Sequence, residues 1–526
     1  MKRYSRRALF AGLVGAWGLS VAHAELTDQT QTPNAEKAGI KKSLDQEVGA
    51  GRGNLMTPGS SLFIIGRDPA RSVRRGRQIF QRKFTVAQGF GPRTNDGMGN
   101  IAADASLGAG LVDSCAGCHG RPRGSAGFGG DVVTRPDSRD APHLFGLGLQ
   151  EMLGDEITTE LRAIRADAIA DAQASGHNVT RELVGKSTNY GTITARPDGT
   201  VDTSNVHGVN ADLRVRPFFA QGGTMSMREF IVGAFNAEMG LEAFDPDTFA
   251  ASHGARVVTP SGMVLDGSTD QIEAPPANSV TDDPDHDGKV NEIDVAIVDH
   301  MEFYLLNYFK AGTGKQTIES TLGRLLFQKV GCQGCHTPNQ VIDHDRRVAD
   351  VETGYDPERG VFNRLFATAS LRLTVEDDGS GFPALKRPAG QSFLVRNIFS
   401  DFKRHDVGPA FYERNYDGTL QKEFMTEALW GVGSSPPYGH DGRSISLEEV
   451  ILRHGGEAQA ARNAFAKLPA VQQDFIIAFL NTLILFPPDD TASNLQPADR
   501  SNATFPQRGH GSIFLTALFN DPTDVE

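Results

Sequence analysis

The chain has 526 residues, 39% of them hydrophobic, with 58 Gly, 27 Pro and a formal charge of −13. That length exceeds what a single hydrophobic core organises and points to two or three domains. The acidic balance argues against a nucleic-acid partner, and the composition excludes a fibrous or disordered chain.

At the start, Lys2, Arg3, Arg6 and Arg7 precede an apolar run from Ala8 to Val21, and Ala22-His23-Ala24 has the small-x-small form of a cleavage site. Residues 1–24 therefore read as an export signal. Ser5-Arg6-Arg7-Ala8-Leu9-Phe10 is similar to a twin-arginine signal, with an ordinary secretory signal as the alternative. The run is short for a bilayer span, and no later segment reaches that length. The processed protein is expected in the periplasm or secreted, not spanning a membrane. Residues 25–69 are polar and Gly-rich and are expected to form an arm around the domain that follows.

A first domain is expected over 70–280. Within it, Gly76-Arg77-Gln78-Ile79-Phe80-Gln81 recurs later as Gly323-Arg324-Leu325-Leu326-Phe327-Gln328. In each copy an apolar pair marks one side of a short helix leading toward Cys-x-x-Cys-His. These motifs, Cys115-Ala116-Gly117-Cys118-His119 and Cys332-Gln333-Gly334-Cys335-His336, use all four cysteines of the chain. They are attachment sites of c-type haem, in which two thiols bond the porphyrin and the adjacent imidazole reaches the iron. A zinc site wants four N/S ligands in one cluster, and a redox dithiol wants a βαβ setting; neither accounts for two copies. A repeat of helix plus haem site is the sign of two related cytochrome c-like domains. The fold expected is mainly α, with long loops.

Between the motifs, helices are expected over Leu149–Ser175 and Ser226–Phe235, with a β-prone section from Asn189 to Arg216. Residues 281–312 form a connection. Its loop places Asp283, Asp285 and Asp287 at positions one, three and five, Gly288 at six, Lys289 at seven, Asn291 at nine and Asp294 at twelve. That is the oxygen-ligand spacing of an EF-hand calcium loop, with Lys289 offering its carbonyl and a helix following over Ile293–Tyr308. Asp294 replaces the usual Glu, which weakens the last ligand; an acidic turn capping the helix is the alternative. The second domain is expected over 313–488, closed by a helix from Val471 to Phe486 that Pro487-Pro488 stops. Residues 489–526 read as an extended strap.

A haem held by one histidine has a sixth position, and its occupant decides between electron transfer and chemistry. Candidates after the second motif are His344, His405, His440 and His454. Phe393-Leu394-Val395-Arg396-Asn397, Leu429-Trp430-Gly431-Val432-Gly433, Pro437-Tyr438-Gly439-His440-Asp441-Gly442-Arg443 and the stretch Ser446 to Glu457 resemble the bacterial di-haem cytochrome c peroxidase superfamily, most nearly its di-haem oxidoreductase branch. The resemblance runs from about Arg75 to Pro488. It implies that His454 stands where the family ligates its second haem, with Met in peroxidases and Tyr in methylamine-utilisation enzymes. His336 and His454 would then pair on the second iron, at a lower potential than His/Met gives.

The resemblance also implies that His440 supports that haem from nearby, while His344 and His405 read as solvated or hydrogen-bonding. The family's Asn-Pro-x-Glu-Met has its counterpart in Asn236-Ala237-Glu238-Met239, one residue shorter and without Pro, which makes Glu238 the acid-base candidate. The family's glutamine in this helix has no counterpart, Glu229 and Phe230 occupying the region. Phe219 replaces the tryptophan between the haems. His143 either closes the sixth position of the first haem or packs its loop beside an open iron, the second being preferred.

The expected activity is peroxide reduction at the first haem, with electrons relayed by the second from a small soluble donor such as a cytochrome c or cupredoxin. The rivals are an oxygen-activating di-haem enzyme, rubber-oxygenase-like or methylamine-utilisation-like, and a non-catalytic di-haem carrier.

Overall fold

The computed structural model describes residues 44–67, 69–82, 84, 114–119, 137, 139–144, 146–284, 286, 288–307, 312–313, 316–347, 350–353, 369–376, 384–385, 392–415, 417–484, 493–495 and 509–515. The leader, the start of the arm, Asp285, Asp287 and most of the C-terminal strap lie outside the described residues.

The described arm contains two short helices, α1 (Leu44–Val48) and α2 (Ser61–Arg67), and both pack against α8 (Val295–Leu306). Next come α3 (Pro69–Gln81), the first haem motif as α4 (Cys115–His119) and the long α5 (Leu147–Ser175). An antiparallel meander of Val179–Gly185, Thr188–Ala195 and Val201–Val206 packs on α5. The chain continues through α6 (Met227–Met239), α7 (Pro246–Ser252) and α8. After α9 (Ile318–Lys329), strands dominate until α10 (Leu447–Arg453), α11 (Gln459–Ala466) and α12 (Ala470–Leu480).

Local chemistry sets the ends of the helices that matter here. Ser226 caps α6 by accepting from the Glu229 amide, and Gly240, at φ 66°, ends it in the left-handed conformation that glycine tolerates. Asp294 caps α8, and Thr317 with Ser320 forms a reciprocal capping box on α9.

The central helix is α8, buried on every side from Ala296 to Leu306. α3 crosses it at Gly76, where a Cβ would fall 2.3 Å from the His300 carbonyl oxygen. The repeated glycine does the same job again: at Gly323 a Cβ would lie 1.7 Å from the Phe475 carbonyl oxygen, because α9 crosses α12 there. Phe327, Phe399 and Phe479 pack edge to face beside this second crossing, their centroids 5.5 to 5.7 Å apart.

A buried charge cluster fixes α6 to α8. Arg228, fully buried, donates to Asp245, Asp299 and Glu302. Arg52 of the arm adds a fork to Asp247. Each carboxylate is therefore paired, which buried charges require.

Helix outweighs strand, but the expectation of a mainly α chain is met only in part. Besides the meander, short antiparallel ladders join Asn339–Ile342 to Phe393–Arg396 and Arg404–Asp406 to Glu423–Met425. A five-stranded sheet is built around Ala369–Glu376, and the strap contributes Ser493–Leu495 and Gly509–Leu515 to it. The last helix ends at Leu480, ahead of the proline pair, because Leu483–Ile484 turn away to pair with Gly312–Thr313. Leu483 is as fully buried in that strand as a helix would have made it. Apolar periodicity alone does not separate the two cases.

Candidate functional site

The second motif begins where Gly331, at φ 97°, turns the chain from α9 into a 3₁₀ turn over Cys332–Gly334. Both motifs open onto one cavity of about 1590 Å³. Its walls carry Cys115, Cys118, His119, Cys332, Cys335, His336, His440, His454 and Glu238. A site for one small ligand occupies about 300–1,000 Å³, so the space suits something larger, or two such groups.

Three histidines share one hydrogen-bonding pattern. His119 Nδ1 lies 2.7 Å from the Pro142 carbonyl, His336 Nδ1 3.0 Å from that of Phe399, and His454 Nδ1 2.7 Å from that of Val450. Donation from Nδ1 leaves the Nε2 lone pair available, the usual arrangement of a metal-ligating imidazole. Burial lowers the pKa of all three, that of His336 to about 4, and so keeps them in the neutral, ligating form. Donors, cavity and paired thiols thus fit two covalently held haems.

Neighbours hold each of these groups in place. Phe399, which supplies the carbonyl for His336, has φ 53°, within a segment where Asn397 and Phe402 are also left-handed. Such strain persists where surrounding contacts impose it. His454 ends α10, whose N-terminus Ser446 caps, and the Phe411 ring meets His454 at 5.3 Å with Arg453 stacked on that ring at 4.0 Å. His440 stacks on Phe424 at 4.1 Å, and its Nε2 is 3.2 Å from Glu413 Oε1. His143 directs Nε2 to the Trp430 carbonyl at 2.9 Å, and burial lowers its pKa to about 4.

Glu238 is the penultimate residue of α6 and reaches the cavity wall. Glu229, in the first turn of α6, is buried, hydrogen-bonded to Ser226 and the Glu273 amide, and raised by burial to about 7. Phe219, at φ 60°, leans on Phe230 with ring centroids 5.2 Å apart.

Other residues here have no sequence motif. His405 is buried between Asp401 at 2.9 Å and Glu457 at 2.8 Å. Burial opposes its charge, but hydrogen bonds with Asp401 and the Cys335 thiol raise its pKa to about 11. Cys335, Asp401 and His405 also present ligand atoms within 4.8 Å of one another. His344, by contrast, is solvated. Glu427 opens onto the cavity near His440 and Arg139, its pKa raised because it is enclosed by protein.

In the loop after residue 282, Asp283 Oδ2 accepts from the Gly288 amide at 3.0 Å, as the first ligand of an EF-hand loop would. Asn291 is left-handed at φ 49°, and its buried Oδ1 has no hydrogen-bond partner among the described residues. One Asp294 oxygen accepts from the Ala296 amide at 2.8 Å, so the twelfth position also caps the helix. Lys289 lies in the loop, while Asp285 and Asp287 fall outside the described residues.

Residues 359–483 match the profile of the family described as "Di-haem oxidoreductase, putative peroxidase". That stretch is similar to the di-haem oxidoreductases. Asp401, His405, Glu413, Glu427, Trp430, His440 and His454 all fall within the matched residues.

No curated protein matches the chain. Among solved structures, a hydrazine synthase of Kuenenia stuttgartiensis aligns at 18% identity and TM-score 0.23, over 37% of this chain and 57% of that one. A MauG-like protein associated with microbial copper homeostasis aligns at 14% identity and TM-score 0.22, over 54% and 75%. At such scores neither bears on this chain's chemistry. Among the described residues no helix is long and apolar enough to cross a membrane.

Proposed function

We propose that this chain is an exported di-haem c-type oxidoreductase with two cytochrome c-like halves. In this reading it reduces hydrogen peroxide at the His119 site with electrons passed through the His336 site. The observation that carries it is the inequality of the two sites within one cavity. His454, its Nδ1 tied to Val450, keeps Nε2 for the second iron in this reading, whereas His143 has its Nε2 committed to Trp430. Bound haem supplies one-electron chemistry at each iron.

The chain's own part is to place and protonate. Cys115 and Cys118 hold one group and Cys332 and Cys335 the other, with His119 and His336 on the proximal sides. Glu238 holds a proton at its carboxyl and moves it between the two oxygens of peroxide, so that one leaves as water. The charge cluster around Arg228 keeps α6, and with it Glu238, fixed against α8. A calcium ion held by Asp283, Asp285, Asp287, Asn291, Asp294 and the Lys289 carbonyl would stiffen the entry to α8. Electrons come from a small soluble protein, a cytochrome c or cupredoxin.

The test is peroxide turnover by the holoenzyme with a reduced cytochrome. Glu238→Gln is expected to lower turnover by about 10²-fold or more; full activity in that variant would leave Glu238 structural. A second reading, an oxygen-activating enzyme, is favoured by Glu229 standing where a peroxidase keeps glutamine. Oxygen consumption without peroxide turnover would select it. Two low-spin haems indifferent to both oxidants would mark a carrier.

A further inference from the structure

The carbonyl that orients His119 belongs to Pro142, in a segment anchored to the far half of the chain. Its attachments are numerous. Asp137 is gripped by Arg414, whose amide and Nη2 donate at 2.6 and 2.7 Å. Arg139 forks onto Glu413 at 2.7 and 2.6 Å, and Glu413 in turn meets His440. The Asp140 amide donates to the His440 carbonyl at 2.8 Å. His143 reaches the Trp430 carbonyl at 2.9 Å, and Gly146 is so close to Trp430 that a Cβ would fall 2.7 Å from the indole. Arg139 Nη1 also donates to Gln221, in the first half, but each of the partners named above lies between residues 413 and 440, ahead of α10 and His454. The fork is buried on both sides, Arg139 being 10% and Glu413 4% exposed. Bidentate pairs of this kind fix geometry as well as adding energy.

We propose that residues 137–146 form a positioning strap through which the second half of the chain sets the orientation of His119, with Arg139–Glu413 as its principal latch. Arg139 and Glu413 are positioning residues: they act on the first haem through Pro142 and His119. This rests on the di-haem reading and adds a consequence to it. The proximal bond of the first haem depends on contacts made by the half that carries the second. An imidazole that loses a fixed carbonyl partner changes its ring orientation and basicity, which alters its iron bond.

The test uses the holoenzyme and reads the iron–histidine bond, not turnover. In the reduced state only a haem with an open sixth position gives the iron–histidine stretch in resonance Raman spectra, so the band reports the His119 site. Arg139→Ala is expected to shift or broaden that band and to move the first haem's midpoint potential. Arg139→Lys, which keeps charge but not the fork, should lie between it and wild type. The second haem's low-spin lines should stay in place, with both haems still present by protein mass. Should Arg139→Ala fail to fold, Arg139→Gln, which keeps a long polar side chain but neither the charge nor the fork, gives the same comparison. An unchanged band and potential in the folded variants would overturn the strap, as would equal disturbance of both haems. Wild-type protein whose mass shows no covalent haem would instead overturn the di-haem reading on which the strap rests.

Discussion

Gly323→Ala sets two effects of opposite sign against each other. In an exposed helix interior, alanine in place of glycine stabilises by about 1 kcal/mol through reduced backbone freedom in the unfolded chain. At this position the new Cβ would lie 1.7 Å from the Phe475 oxygen and 2.4 Å from its carbonyl carbon, both backbone atoms of α12. A tolerable carbon–oxygen contact is roughly 3.3 Å, so α9 and α12 must separate by well over an ångström. Overpacking of this kind costs about 1–3 kcal/mol. A gap wider than about 1 Å also forfeits about half or more of the dispersion energy of contacts facing it, here those among Phe327, Phe399 and Phe479. The clash belongs at the upper end of the range, leaving a net loss of about 2 kcal/mol. For a unit of this size that lowers Tm by about 4–8 °C. Thermal unfolding of the haem-loaded chain, followed by circular dichroism, reads it directly. A Tm at or above that of the unsubstituted chain would refute the close crossing, since propensity alone would then be acting.

His454→Ala is expected to convert one low-spin haem to high-spin in the absorption spectrum; an unaltered spectrum would remove His454 from the coordination of either iron. Burial raises the folded pKa of Glu302 to about 7, above its unfolded value of about 4.3. Its contribution to stability is therefore fully present below about pH 4.3 and is lost as pH rises through about 7. Glu302→Gln should flatten the fall in Tm over that interval, and an identical pH profile would show the group to be uninvolved. Chelation of calcium should lower Tm and slow turnover while protein mass shows both haems retained. Metal analysis finding no calcium in the purified chain, with no response to chelator, would reduce the loop at 283–294 to a helix cap.

Much of the site was legible because its motif is written in contiguous residues. Cys-x-x-Cys-His needs no tertiary context to be recognised, and both copies line the same cavity. The helices expected over Leu149–Ser175 and Ser226–Phe235 correspond to α5 and α6 within a few residues. The pairings that no motif marks act across long stretches of chain: Arg139 and Glu413 are 274 apart, and His405, expected only to be solvated or hydrogen-bonding, finds Glu457 52 residues away. No local pattern marks such partners. The ladders joining Asn339–Ile342 to Phe393–Arg396 and Arg404–Asp406 to Glu423–Met425 were missed because strands of three or four residues carry too little alternation to register. The early end of α12 was missed because Leu483 is buried in either conformation.

The six-residue repeat shows why likeness and difference coexist in this chain. Its glycine and its phenylalanine are separable in role: Gly76 and Gly323 let a helix crowd against a partner backbone, while Phe80 and Phe327, four residues on, present rings to the cavity. One helical turn thus carries both the crossing that builds each half and a wall of the space that half shares with the other. Neither role specifies what stands opposite the proximal histidine. That choice comes from segments the repeat does not include, α6 bringing Glu238 to the cavity wall and α10 ending in His454. Two copies of the repeat can therefore keep one packing role and still face different chemistry, because the residues that pack these helices are not the ones that finish the pocket.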